Sequence, residues 1–354
     1  MQTFLSTIGI ILLLCWDVCS QDQSRSAITG DNVTEVMRMG SLSSDVAFVG
    51  PHSEPGRVVM VTRRSEIVFD SRSSGFVEQP TLMPLVFDDT SLKQKGNLER
   101  HSQLSSVSRD GKRCLWSREA AIIIESEEMN TEILDGFTPR VSGSAFHPVQ
   151  DLVAIHVWEH DPMETDCLMG FSTVRLFTNE GQLVHKFDRG VGGAAKLEFS
   201  SDGRFLAVAN RNAKHTQVLS LKRKSIIHTF SGSSAPKSIA FHPGGKWLAV
   251  LEDKQCRIWN AKDGKLVRAM EISSHKGSGK VLWSPSGDML LTATDGKIKF
   301  WSSRSWEKVH EIKLAYQGVT ELMMTPDGSR LISETKSIEK WNPKAHRVET
   351  WGIR

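Results

Sequence analysis

The densest group of chemically capable side chains lies between residues 156 and 167: His156, His160, Asp161, Glu164, Asp166 and Cys167. Imidazole, carboxylate and thiolate are the donors a zinc ion takes. Yet there is no two-plus-two spacing of Cys or His, and no Asp-rich calcium loop with its turn glycine. A solvated acidic hairpin accounts for the same residues, so no metal is assigned. Lys222-Arg223-Lys224 is a basic group at a tight turn. It reads as a solvated edge that discourages strand pairing, with contact to an acidic partner as the other reading. His147 and His242 each precede a proline and read as turn residues rather than acid–base groups. No Gly-x-Ser-x-Gly elbow, P-loop or dinucleotide fingerprint is present. The chain reads as a non-enzyme that needs no cofactor.

The elements that carry these residues repeat. Phe146-His147-Pro148, Phe199-Ser200-Ser201-Asp202-Gly203, Phe241-His242-Pro243-Gly244-Gly245, Trp283-Ser284-Pro285-Ser286-Gly287 and Met324-Thr325-Pro326-Asp327-Gly328 follow at spacings of 53, 42, 42 and 41 residues. Independent markers, Phe177, Leu219, Trp259, Trp301 and Trp341, keep step at 42, 40, 42 and 40. A period of about 40–45 residues with four alternating strand patterns marks a β-propeller blade. Ser238–Phe241, Trp247–Val250, Cys256–Trp259 and Leu266–Met270 show the unit best. The Asp-Gly and Gly-Gly pairs at its turns supply the positive φ that tight hairpins require.

The expectation is therefore an all-β chain: a seven-bladed β-propeller of four-stranded antiparallel blades. Six or eight blades are the alternatives, because residues 70–104 are irregular. In the first blade, Asp45–Phe48, Val58–Val61 and Glu66–Phe69 read as successive strands. In the last, Glu321–Met324, Arg330–Ser333, Ile338–Trp341 and Arg347–Trp351 do. Thr34–Met39 also has a strand pattern, so either it or Arg347–Trp351 closes the ring, or one of them adds a fifth strand.

These units resemble WD repeats, well over residues 140–354 and loosely over 44–139. In the best match His275, Trp283-Ser-Pro-Ser-Gly287, Asp295 and Ile298-Lys-Phe-Trp301 stand at that family's His, strand-turn and Trp positions. The resemblance implies a buried hydrogen-bonded set of His, Ser or Thr, Asp and Trp within a blade. It would place Asp295 with Trp301, Asp253 with Trp259 and Trp341 in a third, as structural rather than chemical residues. Thr292 or Thr294 would supply the hydroxyl. The chain departs from the pattern where Thr335 holds the Asp position, and where the closing dipeptide is not Trp-Asp.

Loops at blade ends are where a propeller recognises partners, since its strands are committed to packing. Two stretches exceed the period. One is Trp158–Gly170, with Glu159, His160, Asp161, Glu164 and Asp166. The other is Asp88–Gln103, between blades one and two, with Lys93, Lys95 and Arg100. In the WD-repeat fold both kinds of loop leave the same face, which would form one recognition rim. The inner strands offer mainly apolar residues, with Glu198 and Glu321 read as isolated carboxylates facing solvent beside the channel.

Composition leaves the partner open. The hydrophobic fraction is 39%, and 44 basic against 41 acidic residues give a net charge of +3. That balance predicts neither nucleic-acid binding nor attraction to a membrane surface. Phe4–Trp16 is a mainly apolar run too short to span a bilayer, and Val18 and Ser20 fit a signal-peptidase site after Ser20. The expected organisation is a signal peptide at 1–20, a linker or closing strand at 21–43 and the propeller at 44–354. Localisation would be secreted or periplasmic, with an uncleaved N-terminal anchor as the alternative. The resulting expectation is an exported, non-catalytic protein-interaction platform, a monomer or part of a complex, with no stable membrane insertion after cleavage. The alternative is a propeller enzyme or small-ligand binder working at the channel mouth.

Overall fold

The computed structural model describes residues 27–42, 46–51, 57–70, 75–88, 94–97, 103–108, 113–118, 121–126, 130–133, 140–160, 170–187, 195–272, 278–338 and 346–352. Their regular structure is β, apart from one 3-10 turn at Val33–Glu35. Among the described residues, seven four-stranded antiparallel sheets follow one another. Their first strands are Val46–Pro51, Gln103–Val107, Arg140–Phe146, Ala195–Phe199, Ser238–Phe241, Lys280–Trp283 and Gly318–Met324. These lie side by side in sequence order, and Val46–Pro51 also lies against Gly318–Met324, so they surround a channel.

The core is a set of wedges between neighbouring sheets. Leu115, Ile122, Ile124 and Ile133 of the second sheet pack on Val153, Ile155 and Phe177 of the third. Ala207, Val218 and Phe230 of the fourth pack on Ile239, Phe241 and Val250 of the fifth. Second strands are therefore covered on both faces: Met289–Thr294 is buried at all six positions. Tight turns connect the strands. At the hairpin after Met289–Thr294, Asp295 (φ 51°) and Gly296 (φ 70°) both take the left-handed conformation, which matches the twist of the flanking strands.

The seventh sheet settles the closure. Its order is Gly318–Met324, Arg330–Lys336, His346–Gly352, and then Met37–Leu42 as the outer strand. Met37 pairs with Gly352 and Leu42 with Val348. The segment before that strand clasps the last two sheets. Ile28 N–H donates to Gly328 O at 2.8 Å, and Gly30 N–H to an Asp288 carboxylate oxygen at 2.8 Å. Ile28 and Val33, each 1% exposed, sit in one apolar cluster with Met289, Phe300, Leu331 and Trp351. The closing strand thus lies within the stretch 21–43.

Two strand expectations are corrected. In the first sheet Arg57–Asp70 is one continuous strand paired along its whole length with Gly75–Asp88, so Val58–Val61 and Glu66–Phe69 are not separate strands. The irregular stretch after residue 70 supplies the third strand, and Gln94–Asn97 the fourth. In the seventh sheet the third strand is His346–Gly352, while Ile338 is outside any strand and exposed. Glu339, Lys340 and Trp341 lie outside the described residues.

On one face, the turns between first and second strands join blade to blade. His147 donates from Nε2 to Gly203 O at 3.1 Å, and its Nδ1 accepts Gln150 N–H at 2.8 Å. Ser201 Oγ donates to Pro243 O. His242 donates from Nε2 to Gly287 O at 3.1 Å and accepts Gly244 N–H at 2.9 Å on Nδ1. Both rings are held as the neutral tautomer, and burial lowers the pKa of each. Gly203 has φ 69°, and a Cβ there would fall 2.1 Å from the His147 ring. The histidines before the prolines are inter-blade ties.

Candidate functional site

The opposite face carries the hairpins between second and third strands, and among the described residues two of these have the longest paired strands. Leu152–His160 pairs with Gly170–Thr178 out to His160 opposite Gly170. Arg57–Asp70 pairs with Gly75–Asp88 out to Asp70 opposite Gly75, although its neighbour on the channel side, Val46–Pro51, reaches only to Thr62. Residues 63–70 and 75–82 therefore form a two-stranded arm beyond the sheet. At about 3.4 Å per residue, eight residues extend it by roughly 27 Å. Isolated two-stranded ribbons are marginally stable alone. The sequence reading put this excess between blades one and two, at 88–103. The arm lies instead between the second and third strands of blade one.

The named insertion residues distribute accordingly. Glu159 stands opposite Phe171 and His160 opposite Gly170, at the outer end of the third-blade hairpin. Lys95 lies on the outermost strand of the first blade rather than in a loop. Lys93, Arg100, Asp161, Glu164, Asp166 and Cys167 lie outside the described residues. Among the described residues no three of His, Cys, Asp and Glu converge as a metal-ligand set. His156 is fully buried and its Nδ1 contacts Ser142 Oγ, which commits it to packing within the blade.

Two tryptophans donate to a hydroxyl on the neighbouring strand. Trp301 Nε1–H donates to Thr292 Oγ1 at 2.9 Å, so Thr292 supplies the hydroxyl. In the last blade Trp351 takes this part, donating to Ser333 Oγ at 3.1 Å. The two tryptophans are equivalent in register: Trp301 faces Leu290 and Trp351 faces Leu331, each two residues before the hydroxyl. That recurrence was readable in the sequence, but the longer stretch before the third strand hid it. Trp259 instead stacks on Phe230, with centroids 4.5 Å apart and planes 6° apart. Asp253 is half exposed and pairs with Lys237 at 3.0 Å. The buried acid of that blade is its neighbour Glu252, 2% exposed, which accepts Ser233 N–H at 3.1 Å, Ser233 Oγ–H at 2.9 Å and Arg257 NH1 at 3.1 Å. His275 lies outside the described residues.

The channel wall holds what the sequence reading undervalued. A cavity of about 400 Å³ is lined by the first strands of blades four to seven. The period of two sends Lys196 and Glu198, Ser238 and Ala240, Lys280 and Leu282, and Glu321 and Met323 to the same side. Glu198 and Glu321 are not isolated. Glu321 pairs with Lys280 at 2.7 Å, and Glu198 accepts Phe241 N–H at 2.7 Å. Burial outweighs that hydrogen bond and the neighbouring Lys196, raising Glu198 to a pKa of about 8. Burial, with Lys280 alongside, lowers Lys196 to about 8, against the pull of Glu321. Cys256 is fully buried, and its thiol is pushed well up by burial. No helix among the described residues is long and apolar enough to cross a membrane.

Comparison with known proteins places these features. A family model described as "WD domain, G-beta repeat" matches residues 224–260 and 266–302. Each match joins the outer strand of one sheet to the first three of the next. This is the offset that a closing strand from the other end of the chain requires. The chain is similar to an uncharacterized WD repeat-containing protein of Synechocystis sp., 27% identical over 139 residues, 39% of this chain and 40% of that protein. It is similar to the nuclear distribution protein PAC1-1 of Uncinocarpus reesii, 32% identical over 27% of this chain and 22% of the relative. It is also similar to the target of rapamycin complex subunit wat1 of Schizosaccharomyces pombe, 27% identical over 39% of this chain and 45% of the relative. The chain spans less than half the length of each of these relatives.

Proposed function

The chain is a WD-repeat protein, and we propose that it is an exported, non-catalytic platform for a protein partner, a seven-bladed ring that binds through the face bearing the two long hairpins. The observation that carries this reading is the geometry of those hairpins. Arg57–Asp70 with Gly75–Asp88, and Leu152–His160 with Gly170–Thr178, both lengthen the connection between second and third strands. Antiparallel order sends all such connections to one face. The inter-blade ties of His147 and His242 occupy the other. A two-stranded ribbon is short of burial by itself and gains it by contact. The name of one relative, a complex subunit, supports a protein partner. Export rests on the apolar run at Phe4–Trp16 and the small residues Val18 and Ser20.

Cross-linking mass spectrometry of the tagged full chain, recovered from the exported fraction of its host, tests this. The reading expects one partner cross-linked, through a carboxyl-reactive linker, at Glu66, Glu78 or within residues 158–170. A chain recovered alone, or cross-linked only through the His147–His242 face, would refute it. Deleting Glu159–Met169 should abolish the capture while leaving the thermal transition in place. Peptide sequencing of the mature protein should start at Gln21.

A further inference from the structure

The turns between third and fourth strands can be compared blade by blade. Phe205 faces Ser220, Trp247 faces Asn260 and Met289 faces Ser302, so these three pairs are equivalent. Four residues beyond each pair's second member stand Lys224, Gly264 and Trp306, all left-handed, at φ 51°, 72° and 61°. Between blades five and six a ring fills this position. Trp306 packs on Trp247 with centroids 5.2 Å apart, and Lys246 Nζ lies 4.5 Å from the Trp247 centroid. Between blades four and five the same floor is present: Phe205, with the Arg204 guanidinium 5.8 Å from its centroid. The turn that meets it carries Gly264, which has no ring to lay there. A cavity of about 300 Å³ stands at this place, with Phe205 and Ile227 as apolar wall and Arg204, Lys222, Arg223 and Lys262 around it. His228 forms one side and donates from Nε2 to Lys262 O at 3.1 Å. A Cβ at Gly264 would fall 2.6 Å from that ring, so the turn has no room for a side chain of its own.

The charges around the cavity are unbalanced by count alone. None of its liners is a carboxylate. Asp202 pairs with Arg204 at 2.6 Å, and Asp263 accepts Lys265 N–H at 3.0 Å within its own turn. Lys222, Arg223 and Lys262 have no ion-pair partner among the described residues. With Lys224 from the same turn, five cations stand against those two aspartates. We propose that this pocket receives an aromatic side chain from an acidic segment of a partner protein. The ring would lie on Phe205 as Trp306 lies on Trp247, and the flanking carboxylates would meet Lys222, Arg223 and Lys262. The volume is at the small end for ligand sites and suits one anchoring ring. Antiparallel order puts this turn on the His147–His242 face. It is therefore a second surface, separate from the long hairpins, and its test does not depend on theirs.

The test is isothermal calorimetry of the full chain with a capped pentapeptide carrying tryptophan between two pairs of glutamates. Saturable one-site binding at low salt is expected. Alanine in place of the tryptophan, or glutamine in place of the glutamates, should weaken it by about tenfold or more. Lys222→Glu combined with Arg223→Glu should do the same. Lys254→Glu, on the opposite face, should bind within about twofold of wild type. Thermal transitions near wild type would show that the variants are folded. The proposal is overturned if the pentapeptide does not bind, if the alanine peptide binds equally well, or if the folded double variant binds as wild type does. Retention of the chain on phosphatidylserine vesicles, lost in the double variant and without peptide binding, would overturn it in favour of a membrane surface.

Discussion

Ile28→Ala measures how far the segment before the closing strand belongs to the core. Ile28 is 1% exposed and lies in the cluster that contains Met289, Phe300, Leu331 and Trp351. The substitution removes three carbons, worth about 0.8 kcal/mol each in transfer alone. Incomplete collapse of the cavity brings the expected loss to about 3 kcal/mol, within the range of roughly 2–5 for such truncations. For a chain of 354 residues, an unfolding entropy of about 2.1 cal/mol/K per residue makes that a fall in Tm of about 4 °C. Differential scanning calorimetry reads it, with Val149→Ala, 74% exposed, as a surface control expected to shift Tm by well under 1 °C. Hydrogen exchange localises it. Amides in the pairing of Met37–Leu42 with His346–Gly352 should lose protection more than those of the fourth sheet. A Tm change no greater than the control's, or an exchange effect spread evenly over the sheets, would refute the clasp.

Other outcomes follow from the same geometry. Glu252→Ala leaves the Arg257 guanidinium without its buried partner and should cost about 3–5 kcal/mol in denaturant unfolding, whereas Asp253→Ala should cost under about 1. Trp351→Phe keeps the ring packing but deletes the donor to Ser333, for a loss of about 1 kcal/mol that Trp301→Phe should match through Thr292. His147 and His242 have pKa values held below 6.5 by burial, so the unfolded chain binds more protons in that window. Stability should therefore fall as pH drops below about 6.5, and His147→Gln should flatten the slope of Tm against pH.

The repeat period made the sheets legible because each blade needs the same turn at the same place: Pro or Gly after an apolar strand end, as at Phe241-His242-Pro243. The period failed where pairing ran past it. Nothing in Arg63–Glu66 marks a break or a continuation, since an alternating pattern suits both one long strand and two short ones. Trp341 keeps the spacing but lies outside the described residues, whereas Trp351 is fixed by its hydroxyl partner across the strand. Glu252 was passed over for Asp253 because a family position singles out Asp, while burial acts on whichever carboxylate points inward. The channel residues were visible singly, but Lys196, Glu198, Lys280 and Glu321 come from three different blades. Only ring geometry brings them together.

The pairing of the outer strand Met37–Leu42 with His346–Gly352 sets a timetable for synthesis. Arg38 and its ion-pair partner Glu349 are separated by 311 positions. At about 5–20 residues per second, the ribosome needs roughly 15–60 s to make the second after the first. For that interval the earliest strand has no mate, and its free edge is open to pairing with any other chain. The later-made strand is then the one that completes the earlier, so the closed ring is a late event for each nascent molecule.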